Sequence, residues 1–441
     1  MNYKSFILLI GGLFTCRAVL AQQDSLTLQQ CVNVALNNNL QVKQTGLETE
    51  RTRIDYRQAK ENLLPAVNGS VDHNINSGRS LDPTTYTYVN QKLLSANYNL
   101  QGDLTVFNGL SLLNNIKQTR LAYQAGQMDF QQAKDAVTLN VITAYLQVLN
   151  NADLVKQANA QVEVSRQTLQ RTEILNKNGA VKPSDLYDIQ GQLASDELAV
   201  INAQNTLEVS KLSLLQLLNI PYQKNFRIQP ISTAAEMVNY PFNADQVYST
   251  ALNDFAQVKS ATLKRQSAEK GVQVAKGSLF PTLSLYSGLY SRYAYQYDFP
   301  GAQQSYGGQL KNNYSSSFGL SLQLPVFNYF RRRNAVSLSK INLLNTQYVE
   351  ESTRIQLKQN IEQAYVNMTS AYRRYEVLQT QVNAFTESFR VAQIRYNSGV
   401  LTSVDFVVIK NKLDQANTNL IISKYDYAIR TKILDYYQGK L

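Results

Sequence analysis

The chain of 441 residues has no tryptophan, one histidine, two cysteines and four methionines. With His73 as its only imidazole, histidine-based triads and His-rich metal sites are excluded. Cys16 falls in an N-terminal apolar run, and Cys31 on an amphipathic stretch from Leu26 to Asn39 where a small buried side chain is expected. One remaining cysteine gives no disulfide framework. No Gly-rich phosphate loop follows a strand and opens a helix, and no acid–base set stands out. An enzyme is therefore the least supported class, and no cofactor or metal is expected. After the N-terminal run, no segment approaches the roughly 20 apolar residues of a membrane helix. If the chain crosses a bilayer it must do so with strands.

Lys4, the apolar run Phe6 to Phe14 and the small-residue stretch Ala18-Val19-Leu20-Ala21 read as a secretory signal peptide over 1–21. A lipoprotein with Cys16 acylated is the competing reading, but Phe14-Thr15 replaces the small residues expected before such a cysteine. Removing Lys4 and Arg17 leaves 41 bases against 32 acids, a balance of +9. A basic balance sometimes marks a nucleic-acid partner. An exported chain without clustered Lys/Arg on one helical face argues against it.

Between Arg331 and Asn397 there is neither proline nor glycine. Apolar residues recur there every seven positions in two rows. One row is Ile361, Met368, Tyr375, Val382, Phe389 and Tyr396; the other is Leu357, Ala364, Ala371, Leu378, Phe385 and Ala392. The rows are offset by four and three, the a/d seam of a coiled coil. An unbroken helix of this span is on the order of 100 Å long. The same seam appears 220 residues earlier, with Val137, Ala144, Asn151 and Ala158 against Val141, Val148, Val155, Val162 and Leu169. Ala251-Leu252-Asn253 and Phe280-Pro281 match Ala35-Leu36-Asn37 and Leu64-Pro65 at an offset of 216. The chain is a tandem duplication.

Each half places a pair of strands between its helices. Phe318, Leu320, Leu322 and Leu324 alternate with Ser317, Gly319, Ser321 and Gln323 between Tyr314 and Val326. Tyr98, Leu100 and Leu104 alternate with Asn97, Asn99, Gln101 and Asp103 between Ala96 and Val106. Val67, Val71 and Ile75 do so more weakly, and Thr282 to Tyr297 carries Tyr286, Tyr290, Tyr293, Tyr295 and Tyr297, the composition of an interfacial aromatic girdle. A period of two with one apolar face is the pattern of a membrane strand. Four strands cannot close a barrel and open edges do not persist in lipid, so copies must associate.

Val106-Phe107-Asn108 and Val326-Phe327-Asn328 close the strand pairs, and Arg331-Arg332-Arg333 opens the helix that follows. Bases at a helix N-terminus oppose its dipole. Phosphates of the adjacent lipid leaflet are the candidate partner, and a solvated charge run the alternative. Each long helix ends at a glycine, Gly179 or Gly399. A returning helix then carries its own rows, Leu186, Leu193, Val200, Leu207 and Leu214 in one half and Phe406, Leu413, Leu420, Tyr427 and Leu434 in the other. Glycine suits the left-handed C-cap, and Ser or Thr the next N-cap. The division is a first repeat over 22–220 (strands 66–107, helical hairpin 110–219), a connector over 221–244 lying outside the helical rod, and a second repeat over 245–441 (strands 282–327, helical hairpin 331–438).

The duplication, the strand-end Val-Phe-Asn and an Asp six residues after each tip glycine together resemble the TolC family of outer-membrane efflux proteins over essentially the whole mature length. The resemblance implies an α+β fold: a homotrimer with a 12-stranded barrel in the outer membrane and an α-helical tunnel across the periplasm. It implies an exit duct for efflux or type I secretion, opened by a periplasmic adaptor (a membrane fusion protein) coupled to an inner-membrane pump of RND or ABC type. The tips, Gly179, Ala180, Val181 and Gly399, Val400, Leu401, become the adaptor-docking surface. The family's Tyr three residues before the second tip glycine, paired with the Asp six after the first, gives Tyr396 and Asp185 as gate residues. Its acidic rings fall on Asp405 and on Val408, so the second ring is missing here, and Leu401 replaces the family's Arg. Few methionines disfavour copper or silver efflux; drug efflux and protein secretion both fit. The rival class is an exported adhesin or scaffold rod, which would conduct no ions.

Overall fold

A computed structural model describes residues 25–81, 86–231, 238–297 and 304–440. The expected signal peptide, with Cys16, lies outside the described residues. The first half contributes α1 (Leu28–Asn38), α2 (Leu40–Glu61), β1 (Ala66–Leu81), β2 (Tyr88–Phe107), α3 (Ser111–Lys177) and α4 (Pro183–Leu218). The second contributes α5 (Ala244–Asp254), α6 (Ala256–Gly277), β3 (Thr282–Gln296), α7 (Tyr306–Asn312), β4 (Ser315–Gln323), α8 (Arg331–Asn397) and α9 (Ser403–Tyr437). The order repeats, except that α7 has no counterpart among the described residues of the first half. Both long helices have 67 residues, and α8 keeps both ends expected from the absence of helix breakers. Its seam is real: every residue of the two rows is buried or half-buried, whereas Val366 and Val377, off the seam, are 57% and 68% exposed.

The chain folds into two compact units, each drawing on both halves. One takes the described residues up to Lys43, Lys134–Val247 and those from Ile361 on. Its core gathers Cys31, Tyr145, Leu146, Leu214 and Leu218, all at most 1% exposed. The connector is bound to this core. Leu26 and Ile228 form a parallel bridge, and the Tyr145 hydroxyl lies 2.5 Å from Gln229 O. Phe226 is buried in the core, with Ile228 and Ile231 packed against it. The connector, expected outside the helical rod, is docked on this core through these residues, because its apolar side chains have a surface to cover.

The other unit takes Gln44–Ala133 and Tyr248–Asn360. It holds a four-stranded antiparallel sheet in the order β1-β2-β3-β4. The two expected hairpins are fused by β2–β3 pairing from Leu93↔Gln296 to Phe107↔Leu283. The register aligns Leu320 with Leu285 and Leu285 with Leu104, and Leu289 with Leu100. The apolar residues therefore share one face, and Val67, Val71, Ile75, Phe318, Leu320 and Leu322 on it are each at least 60% exposed. β4 stops two residues before Pro325, which has no N–H for a ladder, so Leu324 falls outside the strand. Two left-handed residues precede each long helix, Gly109 and Leu110 before α3 and Tyr329 and Phe330 before α8. A Cβ on Gly109 would lie 2.3 Å from Gly277 O, so only glycine fits that turn.

Candidate functional site

The hairpin ends are built alike. At the end of α3, Gly179 has φ +72° and Ala180 N–H donates to Leu175 O at 2.9 Å; at the end of α8, Gly399 has φ +71° and Val400 N–H donates to Arg395 O at 2.9 Å. Both are Schellman closures, which satisfy carbonyls a helix end leaves open. The returning helices are capped differently. Thr402 caps α9, its Oγ1 accepting from Asp405 N–H at 3.1 Å. α4 instead begins with Pro183 after Lys182, and the Asp185 carboxylate accepts from Lys182 N–H at 3.1 Å. Contrary to the sequence pattern, no Ser or Thr caps α4: Ser184 lies inside the helix because proline is favoured at the first helical position.

Tyr396, Asp185 and Asp405 all come to these ends, and the hydrogen bonds of Tyr396 and Asp185 go to other residues, not to each other. Tyr396 is 3% exposed and stacks on Phe406 with ring centroids 4.6 Å apart, beside Ile189 and Ala392. Its hydroxyl lies 2.9 Å from Thr172 Oγ1, not on Asp185. Thr172 already donates to Thr168 O at 2.8 Å, so the phenol is the donor. Burial holds that phenol above its usual range, and the Asp185 and Asp188 carboxylates add to the rise against the Thr172 bond. Asp185 Oδ1 and Asp188 Oδ2 lie 2.7 Å and 2.9 Å from the buried Ser403 Oγ, which shares its one proton between them. Asp405 is exposed, and its Oδ2 accepts from Thr402 Oγ1 at 2.8 Å. The hydrogen bonds of Tyr396 and Ser403 each run from the α8–α9 hairpin to the α3–α4 hairpin.

Ala180 and Val400 are exposed, Val181 and Leu401 half-buried, and a cavity of about 670 Å³ opens between the two tips. Leu401 packs on the Tyr396–Phe406 cluster, so the position that would carry an arginine serves apolar packing. Val404 and Val408 are 59% and 47% exposed.

A second junction was not singled out by motif. Lys410 Nζ, on α9, lies 2.8 Å from Asp196 Oδ2 on α4 and 2.7 Å from Asp414 Oδ2. Asp196 also accepts from Ser165 on α3 at 2.5 Å and from Gln192 at 2.8 Å. The signal is a polar row in α9, Lys410, Asn417, Lys424 and Thr431, at the seven-residue spacing of an apolar seam.

At the opposite end of α8, Arg332 Nη1 donates to Ser278 O at 2.5 Å and the Arg331 guanidinium lies 5.7 Å from the Tyr329 ring. One of the three bases is thus held by a carbonyl at a helix end and another by an aromatic face, contacts that offset part of the dipole penalty.

The family model for Outer membrane efflux protein matches the chain twice, over residues 31–219 and 247–439. Outer membrane protein TolC of Escherichia coli (strain K12) is 23% identical, over 97% of this chain and 84% of that protein. Nodulation protein T of Rhizobium leguminosarum bv. viciae is 21% identical, over 91% and 80%. Among solved structures, CusC superposes with a TM-score of 0.79 at 16% identity, covering 93% of this chain and 91% of that one. The Campylobacter jejuni CmeC outer membrane channel does so with a TM-score of 0.78 at 19% identity, covering 94% and 86%.

Proposed function

The chain belongs to the outer membrane efflux protein family and is a channel of the outer membrane, not an enzyme; from that premise we propose that three copies close one twelve-stranded barrel and pass substrate from an inner-membrane pump to the outside. The carrying observation is the sheet. It has four strands, an exposed apolar face and two free edges, on β1 and β4. Edges in hydrocarbon leave N–H and C=O groups without partners, so the sheet must close on other copies. About eight strands, from two copies, give a barrel filled by its own side chains, and three copies are the fewest that leave a channel.

In this reading residues 1–21 are the export signal, and two structural repeats, 22–220 and 245–441, flank the connector 221–244. The twice-matching family model supports that division. Asp185, Tyr396 and Asp405 hold the periplasmic end shut. Gly179, Ala180, Val181, Gly399, Val400 and Leu401 dock a periplasmic adaptor that couples the duct to an RND or ABC pump, a role supported by the exposure of both tips and the cavity between them. Arg331, Arg332 and Arg333 meet lipid phosphates where β4 gives way to α8. The cargo is selected by the pump, and drug efflux and type I protein secretion both use such a duct.

The test is the mass of the purified protein in detergent together with conductance in planar bilayers. A trimer that forms pores is expected. A monomer without conductance in outer-membrane-like lipid would instead favour the exported adhesin or scaffold.

A further inference from the structure

β4 is too short for the edge it has to meet. β1 has 16 residues and β4 has 9. Within the chain, β3–β4 pairing ends at Tyr290↔Ser315, whereas β3 continues to Gln296. Beyond Tyr290 the vacant side of β3 is filled from α7. Gln309 Nε2 donates to Ala294 O and Gln309 Oε1 accepts from Ala294 N–H, both at 3.0 Å. Asn313 Nδ2 donates to Arg292 O at 2.7 Å, and Ser291 Oγ to Leu310 O at 2.6 Å. A side-chain amide thus makes the pair of bonds that a fourth-strand residue would make, as a buried or lipid-facing ladder requires. The Tyr306 ring packs 4.4 Å from that of Tyr293 and its hydroxyl meets Tyr98, which fixes α7 against the sheet.

The register places this plug. Ala294 pairs with Ser95, and Ser95 with Asn74 of β1, while the last β4 pair lies level with Ser70. On the β4 side of the sheet, strand backbone is therefore presented up to the level of Ser70 and α7 beyond it. Whatever the stagger of a closed barrel, nine residues cannot pair with sixteen. The outer face of α7 has room for another chain: nothing lies within 4 Å of where a Gly307 Cβ would stand, and Lys311 is exposed.

We propose that α7 is an inter-copy seal: where β4 of one copy pairs with part of β1 of the next, α7 abuts the stretch of that β1 beyond the reach of β4 and closes the barrel wall there. The proposal rests on the barrel reading above, and its partner is a second copy of this chain.

The test is cysteine capture in full-length protein carrying Cys31→Ala, purified in detergent and treated with a short bismaleimide. Lys311→Cys on α7 is combined in turn with Asp72→Cys, Asn74→Cys and Asn76→Cys on β1. Ser317→Cys on β4 is combined in turn with Asn68→Cys, Ser70→Cys, Asp72→Cys, Asn74→Cys and Asn76→Cys, because closure staggers the strands. Expected are covalent dimers and trimers from both sets on denaturing gels, with loss of the monomer band. If the β4 set links copies and no α7 combination does, α7 is an internal plug only and the seal is wrong while the barrel stands. If neither set links copies although each cysteine reacts with a monofunctional maleimide, the barrel closure and the seal both fall.

Discussion

Lys410 Nζ stands 2.8 Å from Asp196 Oδ2, joining α9 to α4 where both side chains are withdrawn from water, 3% and 9% exposed. Removing one partner of a buried ion pair leaves an uncompensated charge, at about 3–5 kcal/mol. Lys410→Met should therefore melt well below the wild type. Lys410→Met with Asp196→Leu and Asp414→Leu, which removes the buried charges together, should recover most of the loss. Because the pair bridges the two hairpins, Lys410→Met should also raise the open fraction in single-channel records. Unchanged melting and gating in Lys410→Met would reduce the cluster to packing.

Asp414 gives the same junction a pH dependence. Burial raises its carboxyl above the usual range against the pull of Lys410, and Asp196 adds to the rise. Unfolded, the group titrates at about 3.9. Between that value and the higher folded one, the native state binds more protons than the unfolded state, so this group's contribution to stability falls as pH rises through that window. Asp153 has the opposite sign. Burial pushes it up, but hydrogen bonds from Tyr425 and Lys156 hold it below the usual range, so its contribution is present above about 3.9 and lost as pH falls further. The two windows do not overlap. On acidification from neutral toward pH 4, the wild type should gain melting temperature relative to Asp414→Asn, and parallel curves would show that Asp414 does not titrate there.

The tip contact is a neutral pair. A hydrogen bond between Tyr396 and Thr172 contributes about 0.5–1.5 kcal/mol, and the phenol ring stays stacked on Phe406 when the hydroxyl is removed. Tyr396→Phe should change melting little and lengthen open times. Thr172→Val should do the same, and the double variant should be no more open than either alone. Asp185→Ala, which leaves Ser403 to Asp188 alone and frees Lys182 N–H, should add to Tyr396→Phe because the two residues have different hydrogen-bond partners. Coupling of Tyr396 to Asp185 and not to Thr172 would restore the pairing implied by the resemblance.

The long helices and strands were legible because their signals are local and repeated. α8 runs from Arg331 to Asn397 as its missing glycines and prolines required, and the period of two in β4 survives to Gln323. The partner of Tyr396 was not legible. Thr172 and Asp185 lie on either side of the same helical turnaround, and only packing decides which the phenol reaches. Lys410 was visible as a cation on a seam, but Asp196 belongs to the other half of the chain. From its prolines the connector is expected outside the rod, and its docking through Phe226 and Ile228 was not legible because the surface they cover is built by distant segments. α7 lies within a stretch, Asp298 to Asn313, rich in Gly, Gln and Asn, where helix propensity is poor, and its side chains are held by β3.

That dependence makes Gln309 the most informative residue of the sheet. Its amide supplies both a donor and an acceptor to Ala294, and Gln309→Leu keeps the bulk while removing both. A buried backbone group without a partner costs about 1–3 kcal/mol, and here a donor and an acceptor lose theirs together. Gln309→Glu keeps the acceptor for Ala294 N–H but loses the donor, so it should fall between the wild type and the leucine variant. The measurement is amide hydrogen exchange across β3 in detergent. Ala294 should exchange fastest in Gln309→Leu, more slowly in Gln309→Glu and slowest in the wild type, while Leu283 and Leu285, paired with β4, stay unchanged in all three. Equal protection of Ala294 in the three proteins would mean that another group covers this edge, and that α7 is a surface turn without a role in closing the sheet.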